Sequence, residues 1–141
     1  MNEIITDRIA EIVEKTILGI KPFTFAAVDR GQTALLKNGY RIQFGPASVG
    51  RRRTAGINDS LFIARDITVA FTWENVVRDA NAKAELVDKQ NRVNQFNQLI
   101  KAIDSDEKIL EAAKNFNFTG DSGIIEGEEL FILEVTFNLE L

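Results

Sequence analysis

Ile5, Ile9, Ile12, Val13 and Ile17 recur at three- and four-residue steps with charged residues between them. That spacing predicts an amphipathic helix over about residues 3–18, ended by Gly19 with Pro22 just beyond. A second long helix is expected over 79–103, with Leu86, Val93, Phe96, Ile100 and Ile103 near one stripe and an amide-rich polar remainder. Strand periodicity appears in three places. Tyr40, Ile42 and Phe44 alternate with Arg41 and Gln43; Ile67, Val69, Phe71 and Trp73 alternate with Asp66, Thr68, Ala70 and Thr72; and the chain closes on Phe131, Leu133, Val135, Phe137, Leu139 and Leu141 alternating with polar positions and Ile132. These predict strands over 40–44, about 61–73 and 130–141. Residues 23–28 suit a short strand, 29–36 show no clear preference, and Asn38-Gly39 is a turn signal. Ser105 is placed to cap a short helix whose first turn holds Asp106 and Glu107. Phe116 and Phe118 begin a further strand, and Gly120-Asp121-Ser122-Gly123 reads as a loop.

This order of elements, with hairpin-like neighbours, predicts a single α+β domain over residues 1–141. Its sheet is expected to be mainly antiparallel, with helices packed on the apolar face. A long charged loop is expected between two central strands, from Gly45 to about residue 60. Hairpins close with two to five residues, so a spacer carrying Arg51, Arg52 and Arg53 between glycines reads as an arm that reaches a partner.

Composition narrows the chemistry. The chain has 141 residues, 45% of them hydrophobic and 27% charged, with no histidine and no cysteine. A Ser-His-Asp or Cys-His site and the usual zinc sites are therefore excluded, and no disulfide framework exists. A carboxylate pair or a carboxylate-only magnesium site remains open as enzyme chemistry; with histidine and cysteine chemistry gone, a non-enzymatic role without cofactor or metal is the expectation. No apolar run approaches the roughly 20 residues of a membrane-spanning helix. The acidic, amphipathic start lacks the layout of a secretory signal, which points to an intracellular origin. On that expectation the Asn-x-Ser/Thr triplets at Asn58 and Asn117 are chance matches.

The net charge of −4 is unevenly spread. Residues 30–65 carry seven basic side chains (Arg30, Lys37, Arg41, Arg51, Arg52, Arg53, Arg65) against Asp59, a balance of +6. Residues 104–141 carry ten acids against Lys108 and Lys114, a balance of −8. Such asymmetry bears on association rather than on fold.

Gly45-Pro-Ala-Ser-Val-Gly50 keeps the glycine spacing of a phosphate-binding P-loop. Arg51 and Arg52, however, stand where that loop needs Lys and Ser/Thr, and Thr54-Ala-Gly-Ile-Asn-Asp is no helix start. The arginine run also suits nucleic-acid phosphate, with Arg65 or Arg41 nearby, although the chain is acidic overall and the arm has no aromatic to stack on bases. Asp121, Glu126, Glu128 and Glu129 lie close in sequence without the ligand spacing of a calcium loop; a solvated acidic hairpin is the simpler reading. Trp73 reads as core or sheet-edge packing. The two charged regions together suggest a head-to-tail contact, in which the basic arm of one copy (Arg51, Arg52, Arg53, Arg65) lies across the acidic hairpin (Glu126, Glu128, Glu129) of the next.

In length and element order the chain resembles the small tail terminator and tail-completion proteins of long-tailed bacteriophages. The features that carry the resemblance are the N-terminal amphipathic helix, Tyr-Arg-Ile-Gln-Phe-Gly-Pro-Ala-Ser with its following basic loop, Ile-Thr-Val-Ala-Phe-Thr-Trp, the long central helix, and the terminal strand Leu-Phe-Ile-Leu-Glu-Val-Thr-Phe-Asn-Leu-Glu-Leu. The resemblance implies a hexameric ring in the virion tail or neck, assembled in the host cytoplasm. Such a ring caps the tail tube protein, docks to the head connector, and passes DNA as cargo without reading it. It implies no catalytic residues, no cofactor and no membrane. A head-completion or stopper protein of the same neck region, or a nucleic-acid-binding module using Arg51–Arg53, are the alternatives.

Overall fold

A computed structural model describes residues 3–24, 36–52, 60–74, 82–127 and 130–141, with the backbone alone given for 50–52 and 60–62. In chain order its elements are helix α1 (Glu3–Thr16), strands β1 (Lys21–Pro22), β2 (Asn38–Arg52) and β3 (Ser60–Glu74), helices α2 (Ala82–Asp104) and α3 (Glu107–Ala112), and strands β4 (Asn115–Asp121), β5 (Ile125–Glu126) and β6 (Leu130–Glu140). The fold is α+β. The strands form one six-stranded sheet in the order β1-β2-β3-β6-β4, with β5 also paired to β6. Every pairing is antiparallel except β1 with β2. The last strand thus enters the middle of the sheet, between β3 and β4.

One face of the sheet carries the core. Ile67, Val69, Phe71 and Trp73 of β3 and Phe131, Leu133, Val135, Phe137 and Leu139 of β6 are buried there, in one cluster with Ile5, Ile9, Ile12 and Val13 of α1 and Ile109 of α3. The expected alternation of β6 is reproduced, because every second residue meets the helices while Thr136, Asn138 and Glu140 on the other face are only half-buried. That outer face is tied by polar pairs across strands: the Thr68 and Thr136 hydroxyls lie 3.2 Å apart, and Asn138 Nδ2 donates to Asp66 Oδ1 at 3.2 Å.

Several local expectations are corrected. Asn38 and Gly39 are not a turn but the first residues of β2, opposite Trp73 and Thr72. Asn38 Nδ2 instead donates to the Leu18 carbonyl at 3.1 Å, fastening β2 to the end of α1. The cap of α3 is Asp106 rather than Ser105. Asp106 accepts from Ile109 N at 3.2 Å and also from Arg8 Nε at 2.9 Å, so one carboxylate caps α3 and joins it to α1, whereas the Ser105 hydroxyl turns back to Lys101 O. Gly120 and Asp121 belong to β4, carried past a register shift after Phe118, so the loop is shorter than expected. The candidate strand over 23–28 and the start of the 79–103 helix lie largely outside the described residues.

The stripe expected on α2 splits in two. Phe96, Leu99, Ile100 and Ile103 are buried, but Leu86 is 55% exposed and Val93 39%. At about 100° per residue, Leu86 and Val93 stand some 60–80° round the helix from Phe96. The positions of the N-terminal half that face the sheet are instead cationic: Lys89 Nζ lies 5.6 Å from the Phe131 ring centroid and Arg92 Cζ 5.8 Å from that of Trp73. Their cationic ends thus lie against the aromatic cluster of Trp73, Phe96 and Phe131.

Tyr40, the only tyrosine, is buried where β2 meets α1, and its hydroxyl donates to Glu14 Oε1 at 2.9 Å. Burial first, then the bond to Glu14, pushes its phenol well above the ordinary range. The unfolded phenol titrates near pH ~10, so above that pH the unfolded chain releases a proton that the native state retains. Stability contributed by Tyr40 is therefore complete below pH ~10 and falls as pH rises toward the folded value. Urea midpoints measured from neutral to strongly alkaline pH are expected to drop more steeply for the native sequence than for Tyr40→Phe. Parallel curves would remove this account.

Candidate functional site

The expected loop between two central strands is mostly strand. β2 continues through Gly45-Pro46 to Arg52, pairing Ala47 with Arg65, Val49 with Ile63, Arg51 with Leu61 and Arg52 with Ser60. The P-loop spacing thus lies on a paired strand, and only residues 53–59 of the arm fall outside the described residues. The register shift between Phe44 and Ala47 is a bulge, which admits Pro46 because a proline there removes no ladder hydrogen bond. Arg65 Nη1 donates to the Gly45 carbonyl at 2.8 Å and so satisfies the bulge from within the chain.

Beyond this point the two strands pair only with each other among the described residues. β6 ends opposite Ala64, with Leu141 N donating to Ile63 O at 3.0 Å, and β1 ends opposite Tyr40. Residues 47–52 and 60–63 are therefore a two-stranded ribbon projecting from the sheet. It carries Arg51 and Arg52 at its far end, with Arg53 just past the described residues. Val49 is 69% exposed and its cross-strand partner Ile63 46%. Ile63 is in phase with Ile67, so the pair continues the core face past the helices.

Glu126 lies at the other end of the sheet. It is in β5, opposite Phe131 of β6, which in turn faces Trp73 of β3. Lys89 of α2 donates to Glu126 and stands 3.2 Å from Glu85, and these two carboxylates, Glu126 first, hold the Lys89 ammonium above its usual pKa. Glu128 and Glu129 lie outside the described residues. Thirteen residue steps of β3 separate Ser60, opposite Arg52, from Trp73, in line with Glu126. At about 3.3 Å per residue this is roughly 40 Å.

Of the seven residues singled out from sequence, the fold places Arg51 and Arg52 at one end and Glu126 at the other. Arg65 belongs to the base of the ribbon, engaged with Gly45. Sequence reasoning singled out neither Val49 nor Ile63, although Ala47-Ser48-Val49 alternates in polarity and Ile63 lies within the strand expected over about 61–73. It also missed Lys89 and Glu85, whose i,i+4 spacing was the available signal.

Among the described residues no three acidic side chains converge as a metal site, and no helix is long and apolar enough to cross a membrane. The groove between α1 and the other helices is lined by Arg8, Glu11, Lys15 and Asp106. Arg8 there is already paired with both Asp106 and Glu11. No protein-family model and no curated protein matches the chain.

Proposed function

We propose that this chain is a structural assembly protein of a phage virion, a tail terminator whose copies form a ring that caps the tail tube and joins it to the head connector. The observation that carries the reading is the separation of charge along β3, with a basic ribbon at one end and the Glu126 hairpin roughly 40 Å away. Within one chain the two ends do not meet. Between chains they make two different, complementary patches, which is the requirement of a head-to-tail interface that closes by rotation. The order of helices and strands, similar to that of tail terminators, supplies the specific identity; a stopper of the same neck region shares these features. On this reading the protein has no catalytic residues and no cofactor, and DNA is passing cargo.

Native mass spectrometry is the test. A closed six-fold species is expected, and a strict monomer at high concentration would overturn the ring. A nucleic-acid role is the second reading, favoured by the ribbon itself, since a two-stranded ribbon fits the major groove of DNA. It requires duplex binding at low salt that weakens steeply as salt rises.

A further inference from the structure

We infer that the ribbon of one copy seats its Val49–Ile63 pair on a second copy of this chain, against the flank of α2 that carries Leu86 and Val93. The inference rests on the head-to-tail reading and specifies the seat.

The position of that flank follows from contacts elsewhere along the same helix. Leu86, Val93 and Asp104 fall within about 20° of one another around α2. Asp104 Oδ1 accepts from Phe118 N of β4 at 2.8 Å, whereas Gln95, on the opposite flank, reaches Thr16 O of α1. The Leu86–Val93 flank therefore overlooks the β4–β5 edge of the sheet, away from α1. There Leu86 and Val93 are both exposed, and Lys89, linked to Glu126, ties β5 to the helix. The result is an uncovered apolar patch bordered by Glu85 and Glu126, two carboxylates sharing one lysine.

The ribbon has the complementary needs. A two-stranded hairpin is marginal in water without a third surface to pack on. This one exposes a β-branched pair on the continuation of its core face, and its strands lead to three consecutive arginines. Apolar pair against apolar patch supplies affinity, and basic tip against acidic border supplies register. Because ribbon and patch lie at opposite ends of the sheet, each copy gives one and receives one.

The chain has no cysteine, so engineered pairs report the contact cleanly. The double variants Val49→Cys/Leu86→Cys and Ile63→Cys/Val93→Cys place every new thiol at an exposed position. Under mild oxidation at least one pair is expected to give a ladder of disulfide-linked multiples on a non-reducing gel, while each single-cysteine variant stays uncrosslinked. An oligomer that persists in native mass spectra but gives no ladder with either pair would overturn the seat and leave the ring standing. Dimers from Val49→Cys alone would overturn the head-to-tail arrangement, since they require ribbon against ribbon. A native chain that is only ever monomeric would remove both.

Discussion

Phe137→Ala is expected to destabilise the protein by about 3–5 kcal/mol, a large part of the 5–15 kcal/mol that holds a typical domain together. Phe137 is fully buried in β6, the strand flanked on both sides, where it stands opposite Ile67 of β3 and Phe118 of β4. Its ring stacks on Phe116 at 5.1 Å between centroids and meets Phe118 nearly edge-on at 5.9 Å. The cost depends on how far the surroundings collapse into the space left behind. Here collapse is opposed by hydrogen-bonded ladders on either side of β6, which fix the backbone from which Ile67, Phe116 and Phe118 project. Urea unfolding should show a lower midpoint with an unchanged slope, and Phe137→Leu should lose less. A loss below about 1 kcal/mol would mean that this layer is not packed as described.

The parts of the fold legible in sequence are those where one face is buried and one is not. α1 and β6 each show a strict period because each packs a single face, so counting apolar positions recovers both their existence and the identity of their core residues. α2 was legible only in its C-terminal half. Toward the N-terminus, the side chains facing the sheet are Lys89 and Arg92, which read as surface because their charges are. The leucine and valine beside them read as core and are exposed.

The ribbon was missed for a related reason. Gly45, Pro46, Gly50 and three arginines are loop signals, yet residues 45–52 run in a paired strand. A bulge on the sheet's β2 side admits the proline, and Arg65 from the opposite strand holds the Gly45 carbonyl. That contact joins residues 20 apart and leaves no trace in local periodicity. The placement of β6 between β3 and β4 is equally invisible, since strand order is set by which faces and edges meet in three dimensions. For the candidate interface, sequence supplied the two charged groups. Only the register of β2, β3 and β6 shows that they lie at opposite ends.

On the proposed head-to-tail assembly, replacing Arg51, Arg52 and Arg53 together by glutamate is expected to leave a folded monomer. The fold should survive because none of the ribbon's described side chains belongs to the buried cluster and its far end is roughly 40 Å from the Glu126 end of the same chain. Between chains, reversal sets like charges against each other, at a cost of several kcal/mol across an interface. Helical circular dichroism and the thermal midpoint should stay near those of the native sequence while light-scattering mass falls to that of one chain. Neutralisation to glutamine removes the attraction without adding repulsion, so it should weaken assembly less than reversal does. The native oligomer should loosen as salt shortens the Debye length from about 10 Å at 0.1 M toward 3 Å at 1 M. An oligomer indifferent both to the reversal and to salt would show that the arginines do not face an acidic partner, and that the charge split along β3 serves solubility rather than assembly.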